Sequence, residues 1–296
     1  MFLDSSHPLH PNNYFKIEPK LSYPLYMSGM IDERDRFMIA VVGTRKPSLY
    51  GIEITKEISR AAVGAGCTVI SGLARGIDTE AHRSALLNGG RTIGVLGTGL
   101  DKIYPEENIG LAEDIKKNGA VISQFPPETP PLRRNFPLRN YTVALMCSIL
   151  VVVEAPLKSG SLITAKMALD AGKKVFILPG RINEENMAGN MQFLKEYGKR
   201  ENLFMLHSVS DLFSNITRQL SISEIIPETL KLELDDFENK VYDALKNKAE
   251  GVLFDELSLL TGFGPAELPG VILGLILKNI VEEKLGKTYS LVRGKR

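Results

Sequence analysis

The sequence predicts an α/β protein, a doubly wound and mainly parallel sheet followed by a small C-terminal winged helix. Three observations predict it. Short apolar runs alternate with amphipathic segments from Phe37 to Gly180, the runs are continuous rather than alternating in polarity, and nearly every run ends in glycine plus polar or basic residues. Continuous apolar strands need cover on both faces. Regular strand–helix alternation gives parallel pairing through right-handed crossovers. The sheet is therefore Rossmann-like, and in such sheets ligands bind beyond the carboxyl ends of the strands, near the point where strand order reverses.

The elements follow in order. Residues 1–36 read as an irregular arm, because Pro8, Pro11, Pro19 and Pro24 interrupt any regular element. FMIAVVG (37–43) is a buried strand, followed by a helix over about 51–65. CTVISG (67–72), RTIGVLG (91–97) and AVISQF (120–125) are strands, with helices around 78–87 and 107–118 between them. A long Pro/Arg loop leads to a helix near 138–147. SILVVVEA (148–155), a helix at 162–171 and KVFILPG (174–180) close the series. This sets a domain over 37–213 and a polar linker over 214–235. The winged helix spans 236–296, with helices at 237–247, 254–262 and 265–279 and a hairpin turning at Gly286. No internal repeat is present.

Composition excludes several classes. The chain has 296 residues, 44% hydrophobic and 24% charged, as expected of a soluble protein with a sizeable core. Cys67 and Cys147 are far apart with no CxxC pairing, which fits a reducing compartment. His7, His10, His82 and His207 have no metal-ligand spacing, so no metal or cofactor is expected. The longest nearly apolar stretch, 268–277, is too short to span a bilayer, and no signal pattern opens the chain; the expectation is a cytoplasmic protein without a membrane partner. Net charge is only +1, so any nucleic-acid attraction must be local. Residues 232–296 carry nine basic against eleven acidic residues, a net of −2, and the remainder 27 against 24, a net of +3.

Four loops at strand ends carry candidate chemistry. Gly43-Thr44-Arg45-Lys46-Pro47-Ser48 offers a glycine for close backbone approach, two cations and a helix N-terminus suited to a phosphate. It matches neither GxxxxGK[ST] nor GxGxxG, so nucleotide and dinucleotide motifs are not supported. Ser71 to Asp78 adds two glycines and Arg75, with Asp78 as a helix N-cap. Pro130 to Tyr141 interleaves Arg133, Arg134 and Arg139 with Phe136, Asn140 and Tyr141, cations and rings of the kind that hold phosphates and stack bases. Lys158, Ser159, Gly160, Ser161 and Thr164 sit at another helix start. Each loop also serves as a plain capped turn with solvated cations. Glu154, just upstream, reads as a hydrogen-bonding anchor rather than a catalytic acid. Four such loops on one sheet edge suit an extended polyanion better than one small nucleotide.

At these residues the chain resembles the DNA-processing protein A (DprA/Smf) family, from about Tyr23 to Gly198. The motifs are VVGTRKPSLYG (41–51), SGLARGIDTEAH (71–82), GTGLDKIYPEEN (97–108), FPLRN (136–140), SGSLITA (159–165) and VFILPG (175–180). The resemblance implies a non-enzymatic, homodimeric single-stranded-DNA binder that helps load the RecA recombinase in natural transformation. It implies a DNA-contacting Arg45, further cations at Lys102, Arg133, Arg134 and Arg139, and Ser159, Ser161 and Thr164 near phosphates. Tyr141 follows FPLRN where the family has a further arginine, Gln124 replaces an acidic residue, and the family's helical N-terminal module is expected to be missing. The last helical segment carries Lys278 against Glu267, so the winged helix is expected to serve protein contacts or regulation. Two alternatives stand beside this. A nucleotide hydrolase of the lysine-decarboxylase-like (LOG) group needs a PGGxGTxxE glutamate, which SGSLITAKMA lacks. A protein-binding scaffold leaves the arginine and aromatic loop unexplained.

Overall fold

The computed structural model describes residues 1–15, 17–209, 212, 236–246, 248, 251–264, 268–277, 280–284 and 288–291. They fall into two units, Met1–Gln219 and Leu220–Arg296. The expected linker at 214–235, the hairpin turn at Gly286, and Lys278 and Glu267 lie outside the described residues.

In the first unit the strands are β1 (Phe2–Leu3), β2 (Leu25–Gly29), β3 (Met38–Val42), β4 (Thr68–Ser71), β5 (Thr92–Leu96), β6 (Gly119–Ser123), β7 (Ile149–Val152), β8 (Lys174–Ile177) and β9 (Leu203–Met205). They form one sheet in the order β1-β2-β6-β5-β4-β3-β7-β8-β9. Pairing from β6 through β9 is parallel, whereas β1 and β2 join antiparallel. The helices are α1 (Pro11–Tyr14), α2 (Leu49–Gly64), α3 (Ile77–Leu87), α4 (Ile109–Lys117), α5 (Asn135–Met146), α6 (Gly160–Asp170) and α7 (Ala188–Tyr197). Every residue of β3 and β7 is buried. On β6, Ala120 and Ile122 join one core cluster while Val121 joins another with Leu111 and Ile115 of α4. Apolar cover on both faces is what the unbroken apolar runs required. Strand order steps one way from β3 to β6 and the other way from β7 to β9, so the reversal lies between β3 and β7.

The irregular arm is corrected by the structure. Its prolines flank β1, α1 and β2 rather than dissolving them: Pro11 opens α1 under the His10 cap, where proline is tolerated. Asn12 exchanges two hydrogen bonds with the Leu21 backbone, 2.7 and 2.8 Å, and Leu3, Leu25 and Met27 are buried. The sequence reading also passed over α7 and β9.

The described part of the second unit holds α8 (Asp236–Lys246), β10 (Val252–Leu253), α9 (Phe254–Thr261), α10 (Leu268–Leu277), β11 (Val281–Lys284) and β12 (Thr288–Leu291). Its strands form an antiparallel sheet ordered β10-β12-β11. Val241, Leu245, Leu257 and Leu275 centre its own core. Gly262, at φ 74°, ends α9 in the left-handed conformation that glycine adopts without strain. Among the described residues no helix is long and apolar enough to cross a membrane.

A buried charge pair ties the sheet to the turn before β3. Arg91 at the start of β5 meets fully buried Asp35 at 2.8 and 2.7 Å, and Asp35 also accepts from Thr68 Oγ1 at 2.6 Å. Removing one partner strands the other charge. The Arg91→Ala variant is expected to lose about 3–5 kcal/mol of unfolding free energy in urea titrations; a loss under about 1 kcal/mol contradicts the assigned burial.

Burial also holds His82 of α3 neutral. Its Nδ1 meets Thr92 Oγ1 at 2.6 Å, and desolvation, aided by the charge of Arg139, pushes its pKa down to about 3. The unfolded chain takes up a proton near pH 6.5 that the native state refuses, so stability is full above about 6.5 and declines toward pH 3. His10, lowered by burial, acts in the same direction. Denaturation across this range is expected to show the decline, and His82→Gln to flatten it between about pH 6.5 and 5; an unchanged slope in the variant removes His82 as its source.

Candidate nucleic-acid interface

The strand reversal opens a cavity of about 760 Å³ at the carboxyl ends of the strands. One wall is the turn from β3 into α2. Thr44 N donates to the Glu154 carbonyl at 2.6 Å, and the Ser48 side chain caps α2 at Gly51 N. Glu154 is fully buried; its carboxylate accepts from Ser48 N at 2.9 Å, from the Ser48 hydroxyl and from Asn186 Nδ2 at 3.4 Å. It is the anchor expected from the sequence. A β-carbon at Gly43 would meet Ile77 Cγ1 at 2.6 Å, so this glycine makes room for the protein's own packing as well as lining the cavity.

Arg45 projects from this turn, exposed, with its guanidinium 5.8 Å from the centre of the Phe136 ring. The Arg139 guanidinium lies 5.9 Å from the same ring, yet the two arginines differ in kind. Arg139 is 5% exposed. Its Nη1 donates to the carbonyls of Gly72 and, at 2.8 Å, Val95, and its Nε donates to Asn140 Oδ1 at 2.9 Å. Burial lowers its pKa to about 10, with the neighbouring Asp78 opposing and Arg45 reinforcing the shift. Arg139 is thus part of the floor of the cavity, its Nη1 donors given to the ends of β4 and β5 and its Nε to Asn140. A β-carbon at Gly72 would collide with it.

Asp78 is not an N-cap. Gly76 holds that position, and Asp78 is buried in the first turn of α3, accepting from Gly72 N at 3.2 Å and Ala74 N at 3.4 Å. Desolvation raises its pKa, while Arg139 and these hydrogen bonds oppose the rise.

The arginine loop is shorter than the sequence suggested. Asn135, Phe136 and Pro137 already form the first turn of α5, where a proline lacks no needed donor. Arg133 and Phe136 line the cavity; Arg134 is exposed at the α5 N-cap position and does not. The opposite wall is the start of α6, with Lys158, Ser159, Gly160, Ser161 and Thr164. Ser159 caps α6, the two serine hydroxyls meet at 2.7 Å, and Thr164 Oγ1 donates to Gly160 O at 3.2 Å. Asn140 Nδ2 reaches Gly160 O at 3.3 Å and so bridges α5 to α6.

The structure therefore gathers most of the expected residues around one cavity and leaves four outside it. Arg75 is paired with Glu107 at 2.8 Å, though it shares a smaller recess with Arg45, Tyr104 and Phe136. Lys102 pairs with Glu128 at 3.4 Å, and Arg134 and Lys46 do not line the cavity, the Lys46 carbonyl accepting from Asn186 Nδ2 at 3.1 Å. Tyr141 is half-buried against the core rather than free to stack. The sequence reading missed Tyr104, whose ring lies 5.8 Å from that of Phe136 on the cavity wall; an aromatic beside Pro105 past a strand end was its available signal. Arg45, Arg133 and Lys158 form no ion pair among the described residues.

The model of the family DNA recombination-mediator protein A matches residues 2–214. Protein Smf of Synechocystis sp. is 42% identical over 197 residues, which cover 65% of this chain and 49% of that protein. The X-ray structure of DNA processing protein A from Streptococcus pneumoniae is similar with a TM-score of 0.59 and 36% identity, over 64% of this chain and 65% of the other. A solved structure of DNA processing protein A from Helicobacter pylori, described for its single-stranded DNA binding mode, gives a TM-score of 0.60 and 28% identity, over 69% of this chain and 92% of the other. The chain spans about half the length of the curated relatives it matches. Motifs, fold and family model agree: the chain belongs to the DNA recombination-mediator protein A family.

Proposed function

We propose that this chain binds single-stranded DNA along the carboxyl edge of its sheet and serves as a recombination mediator. The observation that carries the reading is the set of cations without ion pairs, Arg45, Arg133 and Lys158, around a cavity that also presents Phe136 and Tyr104. The neighbouring Arg75 and Lys102, outside the cavity, are paired with Glu107 and Glu128. Unpaired cations and α6 N-terminal donors attract phosphates, and rings reward an unpaired base. The relative from Helicobacter pylori, described for single-stranded DNA binding, supports the same ligand.

The finer reading is a homodimer that helps load the RecA recombinase onto incoming DNA in natural transformation, supported by family membership. Its role is binding rather than bond-making: Glu154 and Asp78, the carboxylates nearest the cavity, are committed to hydrogen bonds within the protein. The unit over 236–296 is read as a winged helix for protein contacts, in keeping with its lack of any net positive charge and the exposed Leu259 and Leu260 of α9. Domains over 37–213 and 236–296, joined by a linker at 214–235, complete the reading.

Fluorescence anisotropy with a labelled single-stranded oligonucleotide and duplex competitor tests it. Preference for the single strand is expected, with log K falling against log salt at a slope of about −3 to −4 if some four to six phosphates are neutralised. Arg45→Ala is expected to weaken binding about tenfold or more; a slope near zero, or indifference to Arg45, sinks the electrostatic site.

Arg45 and Arg139 are expected to separate in a second measurement. Arg45→Ala keeps the wild-type melting temperature because the side chain is exposed. Arg139→Ala lowers it by several degrees, since it leaves buried carbonyls unsatisfied at about 1–3 kcal/mol each. Equal melting temperatures for the two variants would contradict the division between contact and floor.

A further inference from the structure

The cavity has the size of a site for one small ligand, whereas a single strand occupies several nucleotides. If the proposed function holds, the strand must leave over a neighbouring surface. The sheet order places the loop after β8 next to the Lys158 loop along the same edge. That loop, residues 180–187, is held in place. Glu184 N donates to Arg181 O at 3.2 Å and Met187 N to Glu184 O at 2.9 Å, while Met187 is buried against Gly180. Asn186 then reaches across to Lys46 O and the Glu154 carboxylate, at 3.1 and 3.4 Å, and fastens the loop to the turn that bears Arg45.

The two segments so joined carry groups that neither packing nor ion pairing uses. Ile182 is 96% exposed, Leu49 84% and Tyr50 51%. Lys46 and Arg181 are exposed and form no ion pair among the described residues. Single exposed apolar residues are ordinary. Leu49 and Tyr50 follow Lys46 at the start of α2, Arg181 and Ile182 share the loop that Asn186 fastens to Lys46, and the two segments together have the composition of a stacking platform. Glu184 and Glu185 share the loop, so Coulombic attraction there is modest and the ring carries the larger share.

We infer that the 46–50 turn and the 181–187 loop form a second nucleotide subsite. Tyr50 stacks a base of the single strand as it leaves the cavity, Lys46 and Arg181 take the flanking phosphates, and Ile182 walls the base.

Anisotropy with oligothymidylates of about six and about eighteen nucleotides tests this, the shorter filling the cavity and the longer reaching the subsite. Wild-type affinity is expected to rise with length. Tyr50→Ala is expected to weaken the longer oligonucleotide about tenfold and the shorter by under twofold, with Tyr50→Phe restoring the length effect. Arg181→Ala is expected to reduce the salt slope by about 0.7 with the longer oligonucleotide alone. No gain with length, no effect of Tyr50→Ala on the longer strand, or equal losses on both strands overturns the subsite. Failure of the underlying reading looks different: Arg45→Ala would then leave the shorter strand's affinity unchanged.

Discussion

A buried guanidinium holds the interface together. Arg139 joins the carbonyl at the end of β4 to the carbonyl at the end of β5, and through Asn140 it reaches the first turn of α6. Four segments converge on one cation. Taking such a charge out of water is costly, and the structure offsets the cost with two carbonyls, an amide, the face of Phe136 and the field of Asp78. The requirement propagates outward. Gly72 has no room for a side chain, Asp78 must turn inward to hold the Gly72 and Ala74 amides, and Phe136 is fixed between two guanidiniums. The exposed groups of the site are positioned because the buried one is.

Charge in this protein has to be judged by commitment rather than by count. A net charge of +1 gives no long-range field worth invoking. What the edge of the sheet has instead is a local mixture: Arg75 is neutralised by Glu107 and Lys102 by Glu128, while Arg45, Arg133 and Lys158 at the cavity form no ion pair among the described residues. Unmatched surface cations repel one another at short range, and a bound polyanion relieves that repulsion while releasing counterions. Arg45 illustrates the tension, since its charge is one cause of the depressed pKa of Arg139 beneath it.

The sequence made the fold legible where periodicity was strong. The parallel strands and their helices lie within a few residues of their expected places because a strand buried on both faces leaves no polar alternation to misread. The edges were harder. β1 has two residues and β2 pairs antiparallel at the rim of the sheet, among prolines whose meaning depends on whether they open or break an element. At the site, residue type located the loops but not the roles. Arg45 and Arg139 look alike in sequence, each beside small or aromatic residues; only the three-dimensional fate of Gly72 and Val95 makes one a floor and the other a contact. Asp78 likewise looks like a cap until its burial is known.

The same logic explains why Glu154 can sit at the edge of an anion site without opposing it. An exposed carboxylate there would repel phosphate, whereas one fully buried and taken up by Ser48 and Asn186 acts as a peg that fixes the Arg45 turn to β7 and to the loop after β8. A β-carbon on Gly51 would run into that carboxylate, so the helix start is built around it. Fixing the turn in advance reduces the entropy lost on binding, and the saving would be largest for a floppy ligand such as the proposed single strand. Ordering must be supplied by one partner, and here the protein supplies it: three loops from separate strands are cross-bonded before any phosphate arrives, so affinity rests on a surface already in place.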